Sequence, residues 1–298
     1  MTTNMSLMAK IDNEFEPSTY KEAYQDSNWI SAMQVEMDSL LKNNTWELVP
    51  YPNHRNVIAN KWIYRIKYNS NGEIEKYKAR LVAKGFSQQY GLDYEETFAP
   101  VAKMPTIRLI MSISASMGWK LFQLDVKSAF LNGDLDVERF MRQLQGFVIK
   151  GKESYVCRLK KTLYGLKQAP RAWYLKISEY FISLGFDKCY SDYDLYVLKK
   201  DNLIIIIALF VDDLLVTGNN IEAIYECISK LKEEYEMTDL GLLHYYLGMQ
   251  VYQHDDCTYV SQSKYIGDLL KRFDLEQCKA CDIPMSSGIK FNINFKSQ

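Results

Sequence analysis

Histidine is scarce in this 298-residue chain: His54, His244 and His254 are the only three, and they are far from one another in sequence. A histidine-built metal centre has little to draw on. Cysteine is sparse too. Cys157, Cys189, Cys227, Cys257, Cys278 and Cys281 follow no regular spacing, the pattern of free thiols in a reducing compartment. Cys278 and Cys281 form one C-x-x-C with no second pair and no histidine nearby, which argues against zinc. No apolar run is long. Leu203–Val211 spans nine residues, far below the ~20 that a membrane helix needs. Met1–Phe15 is polar and partly acidic, without the apolar core of a signal peptide. An excess of one charge sign is also missing. The 36 Lys and Arg offset 37 Asp and Glu to a net charge of −1, which excludes a uniformly basic nucleic-acid binder. The expectation is an intracellular protein with no membrane partner.

The material for a core is ample. Hydrophobic residues make up 47% and charged residues 24%, which excludes global disorder, and the length suits one large domain or two modest ones. No internal repeat or low-complexity tract interrupts the chain. Residues 1–18 read as a loose leader. Trp29, Ala32, Met33, Met37, Leu40 and Leu41 follow helical spacing. Trp46–Val49, Lys61–Tyr68 and Tyr77–Ala83 read as strands, and Asn69–Gly72 as a hairpin turn between the last two.

Pro105 suits the first turn of a helix whose face is Thr106, Ile110, Ile113 and Met117, stopped by Gly118. Lys120–Val126 alternates as a strand, with Phe122, Leu124 and Val126 on one face and Asp125 off it. Pro170 opens a helix with Trp173, Ile177, Tyr180, Phe181 and Leu184 as its stripe. Strands are expected at 194–199, 203–211 and 214–217. A helix at 221–235 buries Ile224, Cys227, Ile228, Leu231 and Tyr235. Strands near 244–252 and 257–261 precede a helix striped by Tyr265, Ile266, Leu269, Leu270 and Phe273. Helices and antiparallel hairpins without a repeated βαβ unit predict an α+β fold.

The sharpest signal is Leu209–Val216, where Asp212 and Asp213 interrupt an apolar β pattern. In a continuous strand one of the two acids would be buried, at a cost of several kcal/mol unless paired. At or beside a tight turn both can be presented at its tip. No glycine is present to ease such a turn, a sacrifice tolerated more often for chemistry than for folding. A solvated acidic turn explains the segment alone equally well. Asp125 tips the balance, because it ends a second apolar strand. Three clustered carboxylates repel one another unless a divalent cation sits among them. Hard oxygen ligands favour Mg²⁺ or Mn²⁺ over Zn²⁺, and two ions about 3.5–4 Å apart suit phosphoryl transfer.

Six segments carry a resemblance: Asn44–Pro50 (NTWELVP), Tyr77–Gly85 (YKARLVAKG), Asp93–Pro100 (DYEETFAP), Leu124–Gly133 (LDVKSAFLNG), Leu163–Trp173 (LYGLKQAPRAW) and Phe210–Asp213 (FVDD). In this order the chain resembles the reverse transcriptase of copia-type LTR retrotransposon polyproteins, from about Glu16 to Met285. The resemblance implies a right-hand polymerase fold with fingers and palm and only the start of a thumb. It divides the chain into an N-terminal helix and fingers (19–104), palm (105–133), fingers (134–169), palm (170–252) and the start of a thumb or connection (253–298). It implies an RNA-directed DNA polymerase that adds dNTPs to a DNA primer on an RNA template with two Mg²⁺, Mn²⁺ being the alternative ion.

By the same resemblance Asp125 and Asp212 are the main metal ligands, Asp213 stands further off, and the Val126 carbonyl is another hard oxygen. Phe130 sits where a ring would collide with a ribose 2′-OH. Lys78 and Arg80, two apart on one strand, suit a triphosphate, Arg80 with its bidentate fork the more so. Tyr164, Gly165 and Pro170 match the motif beneath the templating base and incoming nucleotide. Phe210 stands beside the primer. Tyr246, Leu247 and Gly248 resemble a hairpin holding the primer end, a plain structural strand being the other reading.

Four positions depart from the family pattern: Phe210 for the usual tyrosine, Arg139 for valine, and Leu144-Gln145 for Pro-Glu. By the resemblance, the ribonuclease H, integrase and protease parts of a polyprotein are expected to lie outside this chain. A cytoplasmic virus-like particle is the expected location, the nucleus the alternative. A catalytically inactive remnant that only binds nucleic acid is the competing reading, and a metal-dependent nuclease a distant third.

The neutral total hides local imbalance. Residues 55–90 hold eight Lys and Arg against two Glu, residues 150–176 eight against one, and residues 1–50 three Lys against eight acids. The two basic stretches are where a template backbone and a triphosphate would need cations.

Overall fold

A computed structural model describes residues 15–53, 55–69 and 73–281. Most of the expected leader, residues 70–72 of the expected turn and the C-terminal 282–298 lie outside the described residues. The chain divides into two units, one ending at Leu242 and the other beginning at Leu243.

The first unit opens with α1 (Tyr20–Ala23) and α2 (Ser27–Lys42). Asp26 caps α2 by accepting the Asn28 N–H at 2.8 Å. β1 (Trp46–Val49), β2 (Val57–Ile58) and the antiparallel hairpin of β3 (Asn60–Tyr68) and β4 (Ile74–Ala83) follow, with Trp62 opposite Leu81. α3 (Met104–Met117) carries Pro105 in its first turn and ends at Gly118, φ +68°. Its buried face is Ile107, Ile110, Met111 and Ser114, one step round from the expected face. Thr106 instead hydrogen-bonds Asp192 at 2.6 Å, and Ile113 and Met117 are exposed. Ser114 concealed the true stripe: its hydroxyl is buried against that of Thr217 at 3.0 Å, so a polar residue occupies a core position.

Next come β5 (Leu121–Val126), β6 (Asp134–Arg142), β7 (Val156–Lys161), α4 (Ala169–Ser183), β8 (Asp187–Lys188), β9 (Leu195–Lys200), β10 (Leu203–Phe210), β11 (Asp213–Gly218), α5 (Ile221–Glu234) and β12 (Met237–Leu242). The pattern did not predict β6, β7 or β12. The β6–β7 register shifts between Asp134 and Arg139, and the β12–β5 register shifts between Asp239 and Leu242, so alternation breaks in both. β12-β5-β11-β10-β9-β8 form a six-stranded antiparallel sheet. β1-β7-β6-β2 form a second, with β2 parallel to β6. The class is α+β, as expected.

Two cores result. One packs Phe122, Leu124, Val126, Leu214 and Val216 of the large sheet against Trp173, Ile177 and Phe181 of α4 and Ile224, Ile228 and Leu231 of α5. The other packs Trp29, Met33 and Leu40 of α2 against Trp62, Tyr64 and Leu81 of the hairpin and Met141 and Leu159 of the smaller sheet. Phe130 is half-buried against both.

The second unit holds β13 (Tyr245–Tyr246), β14 (Met249–Gln253), β15 (Thr258–Ser261) and α6 (Ser263–Arg272). The single strand expected over 244–252 is instead a two-residue hairpin at Leu247-Gly248, where both φ angles are positive, +48° and +83°. α6 forms where predicted, but Tyr265, Ile266 and Phe273 of its apolar stripe are exposed.

Candidate active site

Alternation along β5 places Phe122, Leu124 and Val126 in the core and turns Asp125 to the other face. β11 lies antiparallel beside it with Asp213 directly opposite Asp125, so the two side chains share that face. Gln123, two residues back on the same face, donates from Nε2 to Asp213 Oδ1 at 3.1 Å.

Phe210 pairs with Asp213, so the loop between β10 and β11 is Val211-Asp212. Asp212 therefore occupies the tip, while Asp213 begins the strand. Val211 takes φ +59°, an unfavourable conformation for a β-branched residue. Two bonds pin the turn: Trp173 Nε1 donates to the Val211 carbonyl at 2.6 Å, and the Val126 N–H to the Asp212 carbonyl at 2.8 Å. The strain thus fixes Asp212 beside the end of β5.

The three acids feel one another. Burial pushes the Asp125 carboxyl up and the Asp212 charge adds to the rise, while Lys78, Lys127 and Arg80 oppose it. Burial also raises Asp213, with the Gln123 bond opposing and the charges of Asp212 and Asp125 reinforcing. Such a group calls for a cation, and its all-oxygen donors suit Mg²⁺ or Mn²⁺. Among the described residues no three His, Cys, Asp or Glu side chains converge on one ion by themselves. Mg²⁺ is commonly bound by one or two carboxylates together with substrate phosphates, so the donor set fits an ion that is shared with a ligand.

A cavity of about 380 Å³ opens beside the hairpin tip. Asp212, Asp213, Phe210 and Val211 are among the residues that line it, together with Lys78, Arg80, Phe130, Tyr164 and Glu36. The Arg80 guanidinium lies over the Tyr164 ring, 4.9 Å from its centroid, and that ring is 5.6 Å from Phe130. Burial, then the Arg80 charge, depresses the Lys78 amine. Phe130 belongs to a short 3₁₀ turn, Ala129–Asn132, whose Phe130 carbonyl accepts the Thr162 hydroxyl. Gly165 has φ +94°, and a Cβ there would lie 2.2 Å from the Ala83 carbonyl oxygen. The close approach that requires this glycine is to the chain's own β4, where Ala83 N–H also donates to the Tyr164 carbonyl at 2.8 Å.

The structure thus brings together seven of the residues singled out in the sequence around one cavity, with Asp125 and Val126 on the adjoining strand. Pro170 lies in the first turn of α4 and does not line that cavity. Tyr246, Leu247 and Gly248 form the β13–β14 hairpin of the second unit. Of the departures from the family pattern, Leu144 is buried in the second core and the Gln145 carbonyl accepts Trp62 Nε1 at 3.2 Å, so this change is absorbed by packing. Sequence reasoning missed Glu36 and Gln123. Gln123 carried a signal, a polar residue sharing a strand face with Asp125.

Cys157, Cys189, Cys227, Cys257 and Cys278 are free thiols. Among the described residues no helix is long and apolar enough to cross a membrane.

A family model described as reverse transcriptase (RNA-dependent DNA polymerase) matches residues 43–287. The chain is 40% identical over 289 residues to the retrovirus-related Pol polyprotein from transposon RE1 of Arabidopsis thaliana, covering 97% of this chain and 20% of that protein. It is 40% identical over 288 residues to the corresponding polyprotein from transposon TNT 1-94 of Nicotiana tabacum, covering 95% of this chain and 22% of that one. Similarity extends, at 28% identity over 234 residues, to the transposon Ty1-ER2 Gag-Pol polyprotein of Saccharomyces cerevisiae, 76% of this chain and 13% of that protein. The chain spans about a fifth of the length of the two plant relatives.

Proposed function

The chain belongs to the reverse transcriptase (RNA-dependent DNA polymerase) family, and on that footing we propose that it adds dNTPs to a DNA primer along an RNA template. The observation that carries this is the single cavity in which a cationic pair, an aromatic wall and the Asp212-Asp213 hairpin meet. Bare carboxylates would suit a nuclease as well, but Lys78, Arg80 and Phe130 at the same cavity would then have no task.

Asp125 and Asp212 would hold two Mg²⁺ or Mn²⁺ ions, with Asp213 further off and the Val126 carbonyl as a further oxygen. Bound there, the ions would supply charge stabilisation for the primer 3′-oxygen and for the departing pyrophosphate. The remaining work falls to the chain. Lys78 and Arg80 receive the triphosphate, Arg80 with its fork held over the Tyr164 ring. Phe130 blocks the space of a 2′-OH. Tyr164 and Gly165 with Pro170 form the floor under the base pair. Phe210 contributes a ring without a hydroxyl on the primer side, and the Tyr246–Gly248 hairpin supports the primer end.

In this reading the six-stranded sheet with α4 and α5 is the palm. α2, the β3–β4 hairpin and the smaller sheet are the fingers, the palm runs to residue 252, and a thumb or connection begins at residue 253. The relatives' names indicate a polyprotein setting, and in this reading ribonuclease H, integrase and protease would come from other segments of such a polyprotein, with a cytoplasmic particle as the place of action.

Primer extension on a primed homopolymeric RNA with Mg²⁺ or Mn²⁺ tests the proposal. Metal-dependent incorporation of dNTPs is expected. A folded protein that binds primed template without extending it would establish the competing reading of an inactive nucleic-acid-binding remnant.

A further inference from the structure

Glu36 is an acid in an apolar register. On α2 it lies three residues after Met33 and four before Leu40, both buried, so it shares their stripe. A carboxylate there is costly unless it is satisfied. One bond is visible: the Leu81 N–H of β4 donates to Glu36 Oε1 at 3.0 Å. A glutamine would accept that bond as well, so the bond alone gives no reason for a charge.

The charge has a setting of its own. Leu81 follows Arg80, and Glu36, Lys78 and Arg80 all line the cavity that also holds Asp212 and Asp213. Burial raises the Glu36 carboxyl, while the Leu81 N–H, Arg80 and Lys78 pull it back down. The interaction is mutual, since Glu36 favours the charged form of Lys78. Two cations alone would hold a polyphosphate tightly before and after its bond is broken. One anion fixed among them lowers that grip without removing the cations.

We propose that Glu36 sets the polyphosphate affinity of this cavity, its carboxylate offsetting part of the Lys78–Arg80 charge so that pyrophosphate leaves after each transfer. The inference rests on the polymerase reading above. It assigns to α2 a part in substrate affinity and product release, beyond its part in the core.

Two variants separate charge from hydrogen bond. Glu36→Gln keeps an acceptor for Leu81 and removes the charge. Glu36→Asp keeps the charge and shortens the reach to Leu81. The measurements are the dissociation constant of magnesium pyrophosphate for the full chain, and KM and kcat for dNTP on primed RNA, with thermal unfolding confirming the fold. Glu36→Gln is expected to tighten pyrophosphate binding and lower the dNTP KM by roughly threefold to tenfold, an effect that shrinks as salt is raised. Inhibition by added pyrophosphate strengthens, and kcat falls where release limits turnover. Glu36→Asp is expected to stay near the parent in affinity while losing thermal stability.

Unchanged or weaker affinity in Glu36→Gln overturns the inference. So does a Glu36→Asp variant that tightens as the glutamine variant does, because the bond and not the charge would then be responsible. If the parent neither binds pyrophosphate nor extends a primer, the polymerase reading fails as well. If the parent extends primers and Glu36→Gln matches it in KM and pyrophosphate affinity, this inference alone fails.

Discussion

Asp213 lies directly opposite Asp125 across the β11–β5 ladder, and the next residue of β5, Val126, ties the Asp212 carbonyl to that strand at 2.8 Å. Register and turn together bring three like charges to one end of a sheet. Burial and mutual repulsion disfavour ionisation of Asp125 in the fold. Asp125→Asn should therefore separate function from stability. Primer extension is expected to fall on the order of 10³-fold. The unfolding temperature, measured at pH 7 without divalent metal, is expected to rise by about 1–3 °C, because a repelling charge has gone. A clear drop in unfolding temperature would assign Asp125 to the architecture.

The Arg80 guanidinium over Tyr164 is a contact that lysine cannot reproduce in shape. Arg80→Lys keeps the charge and loses both the fork and the stacking face. Its dNTP KM is expected to rise roughly tenfold with kcat much less affected, and Arg80→Ala to rise further. Steady-state kinetics on primed RNA check this. Equal KM values for the parent and the lysine variant would mean that point charge suffices.

Phe130 packs against both cores while its ring faces the cavity. Phe130→Val should admit a ribonucleotide, lowering discrimination against rNTPs by at least about tenfold. It should also cost about 1–2 kcal/mol of stability through lost packing. Competition between matched dNTP and rNTP measures the first effect, and denaturant unfolding the second. Intact discrimination in a folded variant would remove Phe130 from the gate.

Asp194 tests the fold away from the cavity. Its carboxyl is almost fully buried, its Oδ2 has no hydrogen-bond partner among the described residues, and burial with the nearby Asp192 charge pushes its pKa up to about 7. An acid that is raised in the fold contributes stability at low pH, where both states hold the proton. That contribution is lost as pH rises from about 4 through about 7, because the unfolded chain ionises freely. Asp194→Asn is thus expected to flatten this dependence and to be more stable than the parent at pH 8 by about 2–4 kcal/mol. Urea unfolding at pH 5 and pH 8 decides it. Parallel pH profiles for the two proteins would contradict the assignment.

The sequence was most informative where period and chemistry agreed. Phe122, Leu124 and Val126 alternate cleanly, so the period alone puts Asp125 off the core face. The same logic failed where a polar residue held a core position. Ser114 rotated the apparent face of α3, and Glu36 interrupts the apolar stripe of α2 that it shares. Irregular registers concealed β6 and β12. The exact turn was not legible either: the adjacent acids suggested a shared tip, but Phe210 pairs with Asp213 and the positive φ falls on Val211. Nothing local in Tyr164 or Arg80 revealed that their side chains stack, since that contact depends on docking the 164–165 loop against β4.

The role proposed for the Asp125–Asp212–Asp213 group is phosphoryl transfer. Single-nucleotide primer extension on an RNA template, run with the parent chain and Asp212→Asn under the same Mg²⁺ or Mn²⁺ conditions, tests it most directly. Metal-dependent extension is expected of the parent, with loss of that extension in a variant that still folds and still binds primed template. Equal extension by the two proteins would contradict it.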